Sequence, residues 1–138
     1  MPRTVLVAVD GSPSSEAAVA FVAEEWPSAT VVLLHVVDPS TADYGAVPST
    51  AEAWYERQRA RADELLDDAA EPLPETTTVE PLVEVGRPAS TVVEAAERED
   101  VDHVVVGSHG REGVSRIILG SVAEVVVRRS PVPVTVAR

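Results

Sequence analysis

The sequence predicts an α/β fold: a doubly wound, open parallel sheet of five strands in the order 3-2-1-4-5, with helices on both faces. Apolar residues make up 45% of the chain, and the strand-like segments are continuous Val-rich runs, which is typical of strands buried on both faces. These runs alternate with helix-like segments, an order that requires a parallel sheet between helices. A length of 138 residues corresponds to one domain, 1–138.

The first predicted strand is a short apolar run over residues 4–9. A helix should follow from Pro13 to about Glu25, because Ser12 is a favoured cap and proline favours the first helical position. Ala17, Ala20, Phe21 and Glu24/Glu25 recur at helical spacing, and Trp26-Pro27 ends the helix. Thr30–Val37, with the sequence TVVLLHVV, is the second buried strand.

Asp38–Thr50 contains two prolines and a glycine and is expected to be a loop, of a length that often forms a functional lid. A helix is predicted from Ala51 to about Glu71, with Trp54, Ala62, Leu65 and Leu66 on its apolar face. Thr77–Val85 is the third strand, and Pro81 indicates that it lies at an edge. Gly86-Arg87-Pro88 opens the next helix, and Val92, Val93 and Ala96 form its inward face. The remaining expected elements are a strand over Asp102–Val106, a helix over Ser121–Arg129 and a last strand over Pro131–Ala137.

The charge is strongly acidic, with 23 Asp and Glu against 11 basic residues, all of them Arg, for a net charge of −12. This balance argues against general affinity for nucleic acid or anionic membranes. Two explanations stay open: a saline cytoplasm, in which dense carboxylates keep the surface hydrated, or GC-rich coding that favours Arg over Lys. Cysteine is absent, which excludes disulfides and thiol chemistry. The start of the sequence lacks a signal-peptide pattern, so a cytoplasmic protein is expected.

Ligands of open α/β sheets bind at the carboxyl ends of the strands, where the strand order reverses. Here that point lies between the first and fourth strands, which end at Asp10 and Gly107. The chain then reads GSHGREGVSRIILGS over residues 107–121. Glycines let backbone N–H groups approach a phosphate, and a helix that begins at Gly120-Ser121 favours an anion at its N-terminus. The cations nearby in sequence are Arg111 and Arg116.

Gly107, Gly110, Gly120 and Ser121 match the pattern Gly-x2-Gly-x9-Gly-Ser/Thr without a gap. On these residues the chain resembles the nucleotide-binding branch of the universal stress protein family. The resemblance extends along the whole chain, through VLVAVDGSPSSEAAV, LLHVVD, VVVGSHG and SPVPVTVAR.

The resemblance implies an ATP site, in which Val9 and Asp10 line the adenosine pocket and Val36 places main-chain atoms against adenine. The ribose and phosphates would be bound by Gly107, Gly110, Gly120, Ser121 and Val122, with Arg111 offsetting charge. It further implies Mg²⁺ or Mn²⁺ held by the phosphates, and a homodimer formed through the last strand at Val132–Val136. Because the chain has no Lys, any lysine contact to phosphate is replaced by Arg or lost.

Simpler roles stay open for several of these residues. Asp10 can turn the chain at Asp-Gly, Gly107 and Gly110 can form a tight turn, and Ser121 with Glu124 can form a capping box. His35 and His103 are expected to be packed or surface residues, whereas His109 lies in the glycine loop and is a weaker candidate for phosphate contact.

Three other nucleotide or phosphate folds are disfavoured. A P-loop requires GxxxxGK[ST] and a receiver domain requires a Lys, and the chain has no Lys. A dinucleotide fold requires GxGxxG after the first strand, where this chain has DGSPSS. The favoured function is a regulatory or binding module of the stress response that uses ATP occupancy. A slow ATP hydrolase and a nucleotide-free dimeric scaffold are the alternatives.

Overall fold

The computed structural model describes residues 2–42, 50–108 and 119–138. In chain order the elements are β1 Thr4–Ala8, α1 Pro13–Glu25, β2 Thr30–Val37, a short 3-10 helix Pro39–Thr41, α2 Ala51–Ala70, β3 Thr78–Val85, α3 Pro88–Arg98, β4 His103–Gly107, α4 Ser121–Arg129 and β5 Val134–Ala137.

The strands form one sheet in the order β3-β2-β1-β4-β5, and every neighbouring pair is parallel, which confirms the predicted fold class and strand order. β1 occupies the centre, with Val7 opposite Leu33 of β2 and Val105 of β4. β3 lies at one edge, as Pro81 indicated. The strand order reverses between β1 and β4, so the carboxyl ends of these two strands flank the crevice in which such folds bind ligands.

Each face of the sheet carries its own hydrophobic core, because successive side chains of a strand point to opposite faces. Val5 and Val7 of β1 pack with α1 and α2, through residues such as Val19 and Leu66. Leu6, which lies between them in sequence, packs on the other face against residues of α3 and α4. The helices are therefore arranged in two pairs, with α1 and α2 on one side of the sheet and α3 and α4 on the other.

The residues whose spacing predicted α1 do not form its buried face. Its buried residues are Ser14, Ser15, Ala18, Val19 and Val22, whereas Ala17 and Phe21 are half-buried and Ala20 is exposed. The helix is apolar around most of its circumference, so the spacing of apolar residues does not select one face. The inward faces of α2 and α3 agree better with the structure: Trp54, Ala62, Leu66, Val92, Val93 and Ala96 are buried, and Leu65 is half-buried.

Strand boundaries differ from the expected ones in four strands. β1 ends at Ala8 rather than at Val9, and β3 begins at Thr78 rather than at Thr77. β4 is shifted by one residue toward the C-terminus and includes Gly107. β5 begins at Val134 rather than at Pro131, because the prolines at positions 131 and 133 have no N–H to donate to the ladder. Pro133 still contributes its carbonyl oxygen, which accepts a hydrogen bond from the Val104 N–H at 3.0 Å. Within the described ranges, no helix is long and apolar enough to span a membrane.

Candidate functional site

The turn between β1 and α1 forms one wall of the crevice and is held by its own hydrogen bonds. The Asp10 carboxylate accepts a bond from the Ser12 N–H at 2.9 Å, and the Asp10 N–H donates to Ser15 Oγ at 3.3 Å. Gly11, at a φ of +81°, adopts a left-handed conformation that glycine reaches without strain. Asp10 therefore shapes the turn through one carboxylate oxygen, Oδ1, and its other oxygen has no hydrogen-bond partner among the described residues.

Val9 joins this turn to β2. Its N–H donates to the Leu34 carbonyl at 2.8 Å, and its carbonyl oxygen accepts from His35 Nδ1 at 2.8 Å. Both backbone groups of Val9 are thus engaged and its side chain is buried, so it can line a pocket with apolar surface but has no free polar group. His35 is committed to this bond, as expected for a packed histidine.

Val36 presents its backbone toward the crevice. The Leu34 carbonyl bonds to Val9 on the β1 side, whereas the Val37 carbonyl accepts from the Gly86 N–H at 3.0 Å on the β3 side. Because consecutive backbone groups of a strand point in alternate directions, those of Val36 face the β1 side. β1 ends at Ala8, which pairs with Leu34, so the sheet has no β1 residue opposite Val36. The backbone groups of Val36 therefore suit recognition of a flat ring.

Gly107 is required by packing. A Cβ on this residue would lie 2.7 Å from the carbonyl carbon and oxygen of Ser14, a distance that Cβ atoms do not tolerate. The first turn of α1 therefore contacts the end of β4 directly, and this contact rather than a tight turn explains the glycine. The β1–β4 register, continued two residues beyond Val7 and Val105, places Val9 level with Gly107.

The N-terminus of α4 is attached to the end of β4 through Ser108. The Gly120 N–H donates to the Ser108 carbonyl at 2.6 Å, and the Ser108 N–H donates to the Ala137 carbonyl at 2.8 Å. Ser108 is buried and was missed by the sequence reasoning. Its position directly after the last residue of the fourth strand was the signal that could have identified it.

The predicted capping box is wrong. Gly120, not Ser121, is the N-cap of α4, and no side chain of the described residues caps the helix. A capping box needs its Ser at the cap position, and Ser121 is already the first helical residue. The Ser121 side chain is exposed and has no hydrogen-bond partner in the described parts of the chain. The first-turn N–H groups have no partners within the helix, and like the hydroxyl they make no hydrogen bond to another described residue.

The structure thus brings most of the predicted binding residues to one edge of the sheet, namely Val9, Asp10, Val36, Gly107, Gly120, Ser121 and Val122. Gly110 and Arg111 lie outside the described residues, as do His109 and Arg116. Within the described ranges, no group of three or more His, Asp or Glu residues is placed to hold a metal ion. The donors at this edge are backbone N–H groups and a hydroxyl, which suit an anion such as phosphate.

His103 lies away from this edge. It is the first residue of β4, and its ring packs edge-on against Trp26 with centroids 4.9 Å apart. Its Nε2 lies 2.7 Å from Thr135 Oγ1, and burial lowers the pKa of the ring. These contacts agree with the expectation of a packed histidine.

The fold and this edge define a doubly wound α/β protein in which a helix N-terminus lies at the topological switch point. A family model described as the universal stress protein family matches residues 1–138. The chain belongs to the universal stress protein family.

Three similar proteins extend this assignment. A universal stress protein of Mycolicibacterium smegmatis is 37% identical over 139 residues, covering 97% of this chain and 45% of the relative, so the chain spans about half the length of that curated relative. The solved structure of protein MJ0577, from Methanocaldococcus jannaschii, has a TM-score of 0.84 at 29% identity over 98% of this chain and 94% of the other. A solved universal stress protein in complex with cAMP has a TM-score of 0.71 at 26% identity, over 99% and 97%.

Proposed function

We propose that this chain binds ATP at the carboxyl edge of its sheet and acts as a nucleotide-dependent, dimeric binding module in a stress response. The observation that carries the proposal is the N-terminus of α4. It is fixed beside β4 by the Gly120–Ser108 hydrogen bond, and within the described ranges no side chain caps it. It offers the Ser121 hydroxyl and first-turn N–H groups on the side of the sheet where such folds bind ligands.

The phosphates would contact the donors at the start of α4. A helix N-terminus carries about half a positive charge and favours an anion, which matters here because the chain is acidic overall. In this proposal Ser121 and Val122 donate to the phosphates from the helix side, and Gly120, whose N–H is bonded to Ser108, lets the phosphates approach because it has no side chain. Gly110 and Arg111 complete the phosphate contacts on the evidence of the sequence pattern alone.

The adenosine would lie over the ends of β1 and β2. The buried Val9 offers apolar surface, the backbone of Val36 faces the same space, and Asp10 keeps one carboxylate oxygen for a ribose hydroxyl or an adenine amine. The cAMP complex of a relative at 26% identity supports an adenine nucleotide as the ligand. The preference for ATP, with Mg²⁺ or Mn²⁺ held by its phosphates, is our proposal.

Binding rather than turnover is favoured by the chemistry at this edge. Hydrolysis needs a group that positions water and strong stabilisation of charge at the γ-phosphate. In the described parts of the chain Asp10 and Asp38 are acidic groups at this edge, and one oxygen of each already accepts a hydrogen bond within its own turn. Slow hydrolysis and a nucleotide-free scaffold remain the alternative functions, and the measurements below separate them.

Dimerisation through the last strand has a physical basis in the edge position of β5. This strand pairs with β4 alone, and its residues Val134, Thr135 and Val136 are half-exposed. Val127 of the adjacent α4 is 46% exposed. An unpaired apolar edge invites association with a second strand. We therefore propose that two copies pair through the segment Val132–Val136.

Equilibrium dialysis with labelled ATP tests the proposal on a matched pair of glycine variants. Gly110→Val should abolish most ATP binding, because a branched side chain blocks the approach of phosphate, and Gly113→Val makes the same change outside the motif and should retain binding. Equal affinity in the two variants would remove the glycine pattern from the site. Phosphate release measured on the same samples decides between binding and hydrolysis, and sedimentation equilibrium with and without ATP reports the dimer.

A further inference from the structure

A groove of about 630 Å³ separates α1 from α2 on one face of the sheet. This volume lies within the range of small-molecule sites, roughly 300–1,000 Å³. The groove is open because small residues line both helices where they face each other. Ala20 of α1 and Ala69 of α2 both line it, and neither side chain is long enough to fill the space.

The floor of the groove is apolar. Val9 and Val19 are buried beneath it, and the half-buried Leu65 lies beside them. Leu65 also closes one end, since its Cδ1 lies 3.3 Å from the position that a Cβ on Gly11 would occupy. Ser15 is the buried polar residue of the lining, and its hydroxyl is already bonded to the Asp10 N–H and the Ser12 carbonyl. The floor therefore offers apolar surface and no free hydrogen-bonding side chain among these residues.

The rim of the groove is acidic. Its exposed charged residues are four carboxylates and one guanidinium, namely Glu16, Glu64, Asp68, Glu71 and Arg61. None of the five takes part in an ion pair within the described ranges. Carboxylates without partners around an apolar floor attract a cation and repel an anion. The same charge disfavours a second copy of this acidic chain as the occupant.

We propose that the groove binds a small cationic amphiphile, with an aromatic or aliphatic body on the Val19–Leu65 floor and an amine or guanidinium among the rim carboxylates. This site is separate from the nucleotide edge. The groove and the edge share Val9 and the turn that holds Gly11 and Ser15, but α4 does not line the groove, and the negative charge of the rim repels a nucleotide. Association of such a ligand combines burial of apolar surface with charge attraction, so both parts can be tested independently.

Dansylcadaverine is a suitable probe, because it joins an apolar fluorophore to a primary amine. Fluorescence anisotropy should show saturable binding to the full chain at low ionic strength. Ala20→Trp fills the groove from α1 and should weaken binding at least tenfold. Ala60→Trp places the same side chain on an exposed position of α2 outside the groove lining and should leave the affinity unchanged.

The charge requirement is tested with two neighbouring aspartates. Asp68→Asn removes a rim carboxylate, and Asp67→Asn makes the same change at an exposed position that does not line the groove. Asp68→Asn should weaken the probe several-fold more than Asp67→Asn, and a dansyl probe that ends in a carboxylate should not bind. Equal effects of the two variants, binding of the anionic probe, full affinity in Ala20→Trp, or stoichiometric displacement by ATP would each overturn the proposal.

Discussion

The Gly120 N–H donates a hydrogen bond of 2.6 Å to the carbonyl oxygen of Ser108, which joins the N-terminus of α4 to the end of β4. Ser108 and Gly120, which lie near the two ends of the glycine-rich segment, therefore meet at the switch point of the sheet. Ser108 is in turn bonded to Ala137 of β5. Ser108 therefore connects the strand proposed for dimerisation, β5, to the helix end proposed for phosphate binding, because it is hydrogen-bonded to both.

Ser121→Ala should weaken ATP binding by roughly 10- to 150-fold, because a hydrogen bond to a charged group contributes about 1.5–3 kcal/mol. The exposed hydroxyl makes no bond in the described part of the chain, so the variant should unfold at the wild-type denaturant concentration. Ser28→Ala is the matched control, since Ser28 is exposed at the opposite edge of the sheet. Isothermal titration of both variants with ATP provides the comparison, and an unchanged Ser121→Ala affinity would exclude the hydroxyl from the site.

Gly107→Ala should destabilise the fold by about 1–3 kcal/mol, the usual cost of adding a methyl group to a close-packed position. The new Cβ would meet the backbone of Ser14 as well as its side chain. The double variant with Ser14→Gly should therefore remain destabilised relative to Ser14→Gly alone. Urea unfolding followed by circular dichroism measures both differences. If Gly107→Ala cost no stability in the Ser14→Gly background, the clash with the Ser14 backbone would not be the cause of the destabilisation.

Asp102 should contribute to the stability of the fold against acid. Its carboxylate accepts bonds from the Thr4 and Arg3 N–H groups at 3.0 and 2.9 Å, and these bonds hold the pKa of the carboxyl below its usual value of 3.8. A group with a lowered folded pKa stabilises the fold above its unfolded pKa, and the stabilisation disappears as the pH falls through the folded pKa. Between pH 5 and pH 2 the free energy of unfolding should thus fall less steeply in Asp102→Asn than in wild type. Asp63→Asn, at an exposed position of α2, should retain the wild-type slope, and identical slopes in all three proteins would contradict the assignment.

The melting temperature should rise between low salt and molar KCl if the acidic surface is adapted to a saline cytoplasm. A net charge of −12 makes the folded state repel itself, and the Debye length shrinks from about 10 Å at 0.1 M to about 3 Å at 1 M salt. Molar sorbitol is a control for effects that do not depend on charge. A melting temperature that does not change with KCl would favour coding bias as the source of the missing Lys.

The sheet and its strand order follow from sequence because buried parallel strands leave a clear signal. Thr30–Val37 and the helices Pro13–Glu25 and Ser121–Arg129 have the predicted bounds, since capping residues, prolines and continuous Val-rich runs mark their ends. The buried face of α1 does not follow from hydrophobicity, because Ser14 and Ser15 lie on that face and Ala20 lies on the exposed one. Its orientation depends on the sheet that it packs against.

The location of the candidate site follows from the predicted topology, but the contacts within it do not. The end of strands one and four follows from topology. The reason for Gly107 is a contact with Ser14, which is 93 residues away in sequence and invisible to local patterns. The cap of α4 depends on where the chain enters the helix, and local spacing placed it one residue too late. The α1–α2 groove arises from two small residues on different helices, and no pattern within either helix reveals it.

Isothermal titration with ATP and Mg²⁺ in molar KCl, repeated with GTP and with AMP, tests the central proposal most directly. The protein is first shown to be folded by circular dichroism and free of retained nucleotide by its absorbance ratio. The account predicts saturable binding of one ATP per chain and weaker binding of GTP, because the backbone of Val36 and the Asp10 turn are proposed to recognise adenine. An absence of binding by the folded, nucleotide-free protein would contradict it and leave the nucleotide-free dimeric scaffold as the function.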